Sequence, residues 1–436
     1  MVPTSAPGDS ESRFSSYVEA VGAALGHADR VAPTRSYCAG LLLPGERKSI
    51  ERTTARVEPG RVQAANQWLH DLIAKADWSD SAVLAVVRSR ILPAIQQYGP
   101  IQAWIIDDTD FPKKGTHSVG VARQYCGQLG RQDNCQVAVS LSVANEQASL
   151  PVAWRLYLPQ VWAGDAARRN KAGVPKELRF VTKPQIALEQ IRAAQANGIP
   201  PDLVLADAGY GVETDFRDGI TALGLAYVIG IQSSASLWPP GQAPLPVKPQ
   251  SGRGRPLARV SRSAEHEPVS AKELAAALPN AAWRRVTWRQ GTNAPLSSRF
   301  AALRVHPAHR DYRAATPRPE EWCLIEWPAD AAEPTKFWLS TLPPAISRAK
   351  MVRHAMLRWR TERDYQEMKQ EIGLGHYEGR GWRGFHHHAT LCIAAYGFLV
   401  AERAAIPPSV PCNTLLRQAP DVPETCRPRG SAADPA

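Results

Sequence analysis

Three acidic side chains in this 436-residue chain lie in surroundings suited to metal ligation. Asp107 follows an apolar run in Ala-Trp-Ile-Ile-Asp-Asp-Thr, and Asp207 follows another in Leu-Val-Leu-Ala-Asp-Ala-Gly-Tyr. Glu362 comes far downstream, in Arg-Trp-Arg-Thr-Glu, within a long stretch of helical periodicity. Carboxylates are hard oxygen donors, and about three of them can hold two divalent cations roughly 4 Å apart for an in-line phosphoryl transfer. One ion would activate a water while the other steadies the leaving oxygen, so no protein nucleophile is required. With a net charge of +11 and a pI near 9.4, the trio points to chemistry on nucleic acid.

Two of the acids have competitors. Asp108 and Asp110 neighbour Asp107, but side chains alternate along a strand, so Asp108 faces away from Asp107 and Asp107 is the expected ligand. On a helix from Ser347 to about Ile372, Arg358, Glu362 and Lys369 fall within roughly 40° of one another. Leu357, Tyr365, Met368 and Ile372 form the adjoining arc, which would pack on a sheet. Glu367 and Glu371 compete with Glu362; Glu367 lies about 140° away and lacks the flanking cations, so Glu362 is preferred. Arg358 would bind a phosphate through two N–H groups and Lys369 as a point charge. An Arg–Glu pair four residues apart is also what an ordinary surface helix carries. Lys113, Lys114 and Arg123 sit close to the Asp107 strand and fit the positive field of a DNA channel.

The elements that must position these residues are α/β in class. Apolar residues recur at helical spacing through residues 13–99, giving a helical amino-terminal DNA-binding domain after a tail at 1–12. Strands are expected at Ile101–Ile106, Cys135–Val143, Leu150–Leu158, Leu203–Ala206 and Ala226–Ile231, with helices at Pro184–Ala196 and Glu213–Leu223. They describe a mixed sheet with flanking helices over 100–231, completed by 346–405. Prolines from Pro239 to Pro249 open a β-rich insertion, 232–345, with strand-like pieces at Trp283–Trp288, Ser298–Val305, Trp322–Trp327 and Lys336–Ser340. Residues 406–436 are proline-rich and read as a disordered tail.

The seven cysteines are scattered with no C-x-x-C pair, which suits a reducing cytoplasm and disfavours a disulfide framework. The first residues lack the apolar core of a signal peptide, and no run of about 18 apolar residues is present, so no membrane partner is expected. His386, His387 and His388 cannot all face one ion from a helix, which favours a structural or DNA-contact role. Cys126, Cys135 and His117 have the wrong spacing for zinc. The insertion tryptophans, Trp238, Trp283, Trp288, Trp322 and Trp338, read as core.

Four segments together resemble bacterial insertion-sequence transposases of the DDE superfamily, the insertion-sequence 701 group most closely. They are Ile105-Ile-Asp-Asp-Thr-Asp-Phe-Pro-Lys-Lys-Gly, Gly120-Val-Ala-Arg-Gln-Tyr-Cys-Gly-Gln-Leu-Gly, Val204-Leu-Ala-Asp-Ala-Gly-Tyr-Gly and Gly373-Leu-Gly-His-Tyr-Glu-Gly-Arg. The resemblance runs from about residue 15 to 402. It implies a ribonuclease-H-like catalytic core, two Mg²⁺ ions (Mn²⁺ as a substitute) and cut-and-paste transposition of an element with inverted terminal repeats. Its Asp-x-Thr motif falls on Asp107 and Thr109, its second aspartate on Asp207, with Tyr210 as a supporting residue. Its helix signature of Tyr, Arg, Glu and Lys falls on position 355, Arg358, Glu362 and Lys369, where Ala355 replaces the tyrosine. The implied partners are terminal-repeat and target DNA, with a homodimer expected on DNA. The alternatives are a metal-dependent nuclease without strand transfer and a domesticated, non-catalytic DNA-binding protein.

Overall fold

The computed structural model describes residues 10–200, 203–247, 259–291 and 294–405. Of the expected tails, 406–436 and most of 1–12 lie outside these residues. Ser10 already opens the first helix, where its hydroxyl and the Arg13 guanidinium bind Glu402.

The organising feature is one mixed sheet of twelve strands among the described residues. Its core comprises β1 (Ala103–Pro112), β2 (Ala122–Cys126), β3 (Arg131–Ala144), β4 (Ser149–Leu156), β5 (Leu203–Ala206) and β6 (Ala226–Ile231). β3 lies antiparallel to β1 on one edge and to β4 and β2 on the other. β5 runs parallel to β1, and β6 parallel to β5. The sequence ends the first strand at Ile106, because Asp-Asp-Thr-Asp reads as polar. In the fold β1 continues to Pro112, held by β3 along its whole length, so Asp107 is mid-strand.

The strands of the 232–345 segment extend this sheet. They are β7 (Ser236–Trp238), β8 (Val269–Ser270), β9 (Arg284–Gln290), β10 (Pro295–Pro307), β11 (Glu321–Trp327) and β12 (Lys336–Ser340). β12 pairs antiparallel with β6, Phe337 opposite Ile231 and Ser340 opposite Val228, and β11 and β10 follow outward. The segment prolongs the core sheet at the β6 edge.

Helices cover both faces. Five come first: α1 (Ser10–Ala23), α2 (Val31–Leu42), α3 (Ile50–Val57), α4 (Val62–His70) and α5 (Asp80–Gln96). The short α6 (Gln160–Ala163) and α7 (Ala166–Lys171) precede α8 (Lys183–Ala196), α9 (Ala208–Gly211), α10 (Thr214–Ala222) and α11 (Ala271–Ala276). α12 (Arg348–Met356), α13 (Trp359–Glu367) and α14 (Trp382–Ala405) close the described chain. α14 is apolar nearly all round because it runs between the first helices and the sheet. One hydrophobic cluster therefore extends from Tyr17 on α1 through Trp104 and Ile106 on β1 to Val400 on α14. On the opposite face, Ala103 and Ile105 pack with Met351, Val352 and Ala355 of α12 and with Leu357.

The single helix expected over 347–372 is interrupted. Arg360 and Thr361 donate to carbonyls three residues back, at Leu357 and Arg358, a local tightening between α12 and α13. After Glu367 the chain widens into a π-helical turn, Met368–Ile372. Tyr365, Met368 and Ile372 are buried on the arc that the periodicity assigns to packing.

The histidine tract is structural. His387 bonds the Ile73 and Trp78 carbonyls and stacks on Trp78, while His388 meets the Tyr37 hydroxyl and the Gly373 carbonyl. His386 meets the Leu156 N–H and the Trp382 carbonyl. Burial lowers all three imidazoles to about 4, so they are neutral at physiological pH. Of the insertion tryptophans, Trp238, Trp283 and Trp338 are buried, and Trp288 and Trp322 pack partly buried against the second cluster.

Candidate active site

β1 carries its aspartates to opposite faces. Asp107, on the α12 side, accepts a hydrogen bond from Arg358 Nη1 at 2.9 Å. Asp108, on the other side, binds Lys183 at the start of α8 and accepts from the Tyr210 hydroxyl of α9. Asp110 accepts from the Cys126 thiol and the Gln128 N–H. The alternation read from the sequence thus separates Asp107 from both neighbouring acids.

Asp207 arrives by the parallel pairing. The register Trp104 to Val204 and Ile105 to Leu205, carried on two residues, brings Asp207 level with Asp107. β5 stops at Ala206, which opens the edge of β1 beside Asp107. Asp207 then caps α9, accepting from the Gly209 and Tyr210 N–H groups at 2.9 and 3.3 Å. This tight turn needs glycines. A Cβ on Gly211 would lie 1.7 Å from the Gly230 carbonyl oxygen, and one on Gly230 would crowd the Ala208 nitrogen at 2.8 Å.

Glu362 enters from α13. Arg358 Nη2 donates to its Oε1 at 3.1 Å, so one guanidinium bridges Asp107 and Glu362. Asp207, Arg358 and Glu362 line a cavity of about 290 Å³, with Trp338, Lys336 and Trp359 among its other walls. Arg289 of β9 stacks over the Trp359 ring at 3.6 Å, which brings the inserted strands to the rim. Glu367 belongs elsewhere, bound to Arg363 and to Arg403 of α14. Glu371 is exposed on the π-helical turn.

The electrostatics separate these acids. Asp107 is 8% exposed, and burial pushes its carboxyl up to about 6. Arg358 acts in the opposite direction, while Asp207 and Asp108 raise the value further. Burial disfavours the Arg358 charge, but Asp107, Asp207 and Glu362 outweigh it and hold the guanidinium above its ordinary pKa. Lys183 is likewise held above its usual value by Asp108, against the effect of burial. Burial, then Asp108, raises the Tyr210 phenol well above its normal range.

The remaining expected residues scatter around this centre. Lys369 donates to the Asp110 carbonyl at 2.7 Å and is held below its usual pKa by burial. Lys113 donates to the Tyr377 carbonyl, while Lys114 and Arg123 are exposed. Thr109 is buried and its hydroxyl has no hydrogen-bond partner. Asp364 carries no signal in the sequence reading, yet it ties α13 down by accepting from Ser149 of β4 and Tyr396 of α14. Burial raises its carboxyl to about 7. Among the described residues, no three His, Cys, Asp or Glu side chains converge closely enough to hold an ion as they stand. Arg358 lies between two of the three acids.

A family model described as DDE superfamily endonuclease matches residues 20–295. The chain belongs to this family. The match spans the positions of Asp107 and Asp207 and ends before α13, so it does not reach Glu362. A protein named "Probable transposase for insertion sequence element IS701", from Microchaete diplosiphon, is 33% identical over 169 residues. That alignment covers 38% of this chain, and the chain spans about 41% of the relative's length. Among the described residues, no helix is long and apolar enough to cross a membrane.

Proposed function

We propose that this DDE endonuclease is a transposase that cuts DNA at the ends of an insertion sequence and joins those ends to target DNA. The carrying observation is the convergence on Arg358: acids from β1 and α13 share one guanidinium, beside Asp207 at the end of β5. The strand order β4-β3-β1-β5-β6, three antiparallel then two parallel, supports a ribonuclease-H-like core. The helical segment 13–99 is read as the part that grips the terminal repeats, and a homodimer is the expected form on DNA, testable by sizing the complex. The protein would act in the bacterial cytoplasm, on the nucleoid.

The donor set fits hard divalent cations. Asp107, Asp207 and Glu362 offer only carboxylate oxygens, and the unpartnered Thr109 hydroxyl is a further oxygen near Asp107. When bound, two Mg²⁺ or Mn²⁺ ions supply activation of a hydroxyl and stabilisation of the leaving oxygen. The chain supplies position. Asp107 is fixed mid-strand and Asp207 by two backbone N–H groups, while Glu362 closes from α13. Arg358 takes a DNA phosphate through its two-pronged donor, and Lys369, Lys113, Lys114 and Arg123 neutralise neighbouring phosphates.

The test uses uncut element ends to read cleavage and, in parallel, pre-cut ends with a target plasmid to read joining. Joined product that disappears in Asp107→Ala and Asp207→Ala, with end binding retained, is the expected result. Cleavage without joining would reduce the assignment to a nuclease, and cleavage unchanged in both variants would remove the mechanism.

A further inference from the structure

We propose that Arg358 is a latch: in the DNA-free protein its guanidinium holds the acid site closed, and a divalent ion and a DNA phosphate release it together. The proposal rests on the reading of Asp107, Asp207 and Glu362 as metal ligands. Its support is the fork. Nη1 donates to Asp107 Oδ1 at 2.9 Å and Nη2 to Glu362 Oε1 at 3.1 Å. The planar guanidinium therefore engages an oxygen from each of two acids that a cation must also use.

The location suits a device that moves. Arg358 sits where α12 gives way to α13, at the tightened turn. Its two acids differ in exposure, the Asp107 side chain at 11% and that of Glu362 at 61%. Asp107 is thus a fixed anchor, and Glu362 is the partner free to swing. Asp107, Glu362 and the neighbouring Asp207 outnumber Arg358 and the cavity's Lys336, so the cluster retains net negative charge and still attracts a cation while the bridge is closed. A cation that takes the Asp107 oxygen leaves Arg358 without its buried partner. The nearest chemistry to satisfy a bidentate donor at that rim is a phosphate. Metal and DNA would therefore each favour the other's binding, and linkage requires the coupling to be reciprocal.

The experiment is Mn²⁺ titration of the full chain by electron paramagnetic resonance, with and without an uncleavable terminal-repeat duplex. Wild type is compared with Arg358→Lys, Arg358→Gln and Asp207→Asn, each checked for folding by circular dichroism. The latch requires both Arg358 variants to bind Mn²⁺ about tenfold more tightly than wild type without DNA, within the range usual for coupled sites. It also requires DNA to tighten Mn²⁺ binding less in those variants than in wild type. Arg358→Lys separates the bridge from its charge: if Lys matches wild type and only Gln tightens, simple repulsion accounts for the effect and the latch is overturned. Unchanged affinity in both variants, with binding still lost in Asp207→Asn, overturns the latch and leaves the metal reading intact. Mn²⁺ binding indifferent to Asp207→Asn overturns both.

Discussion

Asp107 and Asp108 are adjacent on one strand, yet their surroundings differ in kind. On the Asp108 face, one carboxylate meets one ammonium and one phenol, a locally balanced arrangement that joins β1 to α8 and α9. On the Asp107 face, one guanidinium binds two carboxylates, with a third, Asp207, lining the same cavity as Arg358 and Glu362, so the acids outnumber it. A balanced, partly buried acid is a structural joint. An unbalanced cluster keeps its acids together only at a cost, which a bound cation removes.

The largest effect that could break this contrast is on catalysis. Asp107→Ala and Asp207→Ala should each lower end cleavage by about a thousandfold or more, equivalent to roughly 4 kcal/mol of barrier, measured on labelled element ends. Glu362→Gln should follow them, whereas Glu367→Gln, whose partners are Arg363 and Arg403, should stay within about tenfold. If Asp108→Asn fell as far as Asp107→Ala while remaining folded, the division between the two faces would be lost.

The sequence carried much of this contrast. Alternation alone separated Asp107 from Asp108, and the short apolar runs gave β5, β6 and β12 with the bounds found in the fold. What stayed hidden is non-local. The β12 to β6 pairing joins segments on either side of the proline-rich stretch, and no local pattern encodes it. The break before α13 left the apolar period undisturbed, so the helix read as continuous. Arg358 was legible as a cation beside Glu362, because four residues make one helical turn. Its bond to Asp107 exists only because α12 packs on the Asp107 face of the sheet.

A second test sharpens the contrast through stability. Asp107 has its carboxyl raised from near 4 to about 6 on folding. A raised carboxyl contributes stability that is fully present below the unfolded value and is lost as pH rises through the folded one. Asp107→Asn imitates the protonated form, so it should melt higher than wild type at pH 8, by up to about 3 kcal/mol at 1.36 kcal/mol per pKa unit. The difference should vanish near pH 4. Comparing two proteins at each pH cancels other groups in the same window, such as Asp80 at about 6 and Asp364 at about 7. A variant less stable than wild type at pH 8 would mean that Asp107 is a joint like Asp108.

The opposite sign is expected across the strand. Lys183→Met removes the cation from Asp108 and leaves the carboxylate with Tyr210 alone. Both side chains are partly exposed, so solvent screening limits the loss to about 1–2 kcal/mol, read as a lower midpoint in urea. A stabilised Lys183→Met protein would show that this face also carries unrelieved charge.

The smallest effect distinguishes cations already engaged by the protein from those facing solvent. Lys114 and Arg123 are exposed, whereas Lys113 donates to the Tyr377 carbonyl and burial lowers its pKa. A phosphate contact releases counterions, so each true contact removed should flatten the plot of log affinity against log salt by about one unit. Lys114→Ala and Arg123→Ala should each approach that value for duplex ends at neutral pH. Lys113→Ala should change the slope less, because its ammonium must first leave the Tyr377 carbonyl to reach a phosphate. Equal slopes for all three would show that the Lys113 bond yields readily to DNA. In that case the positive rim would include cations the DNA-free fold holds inward, as it holds Arg358.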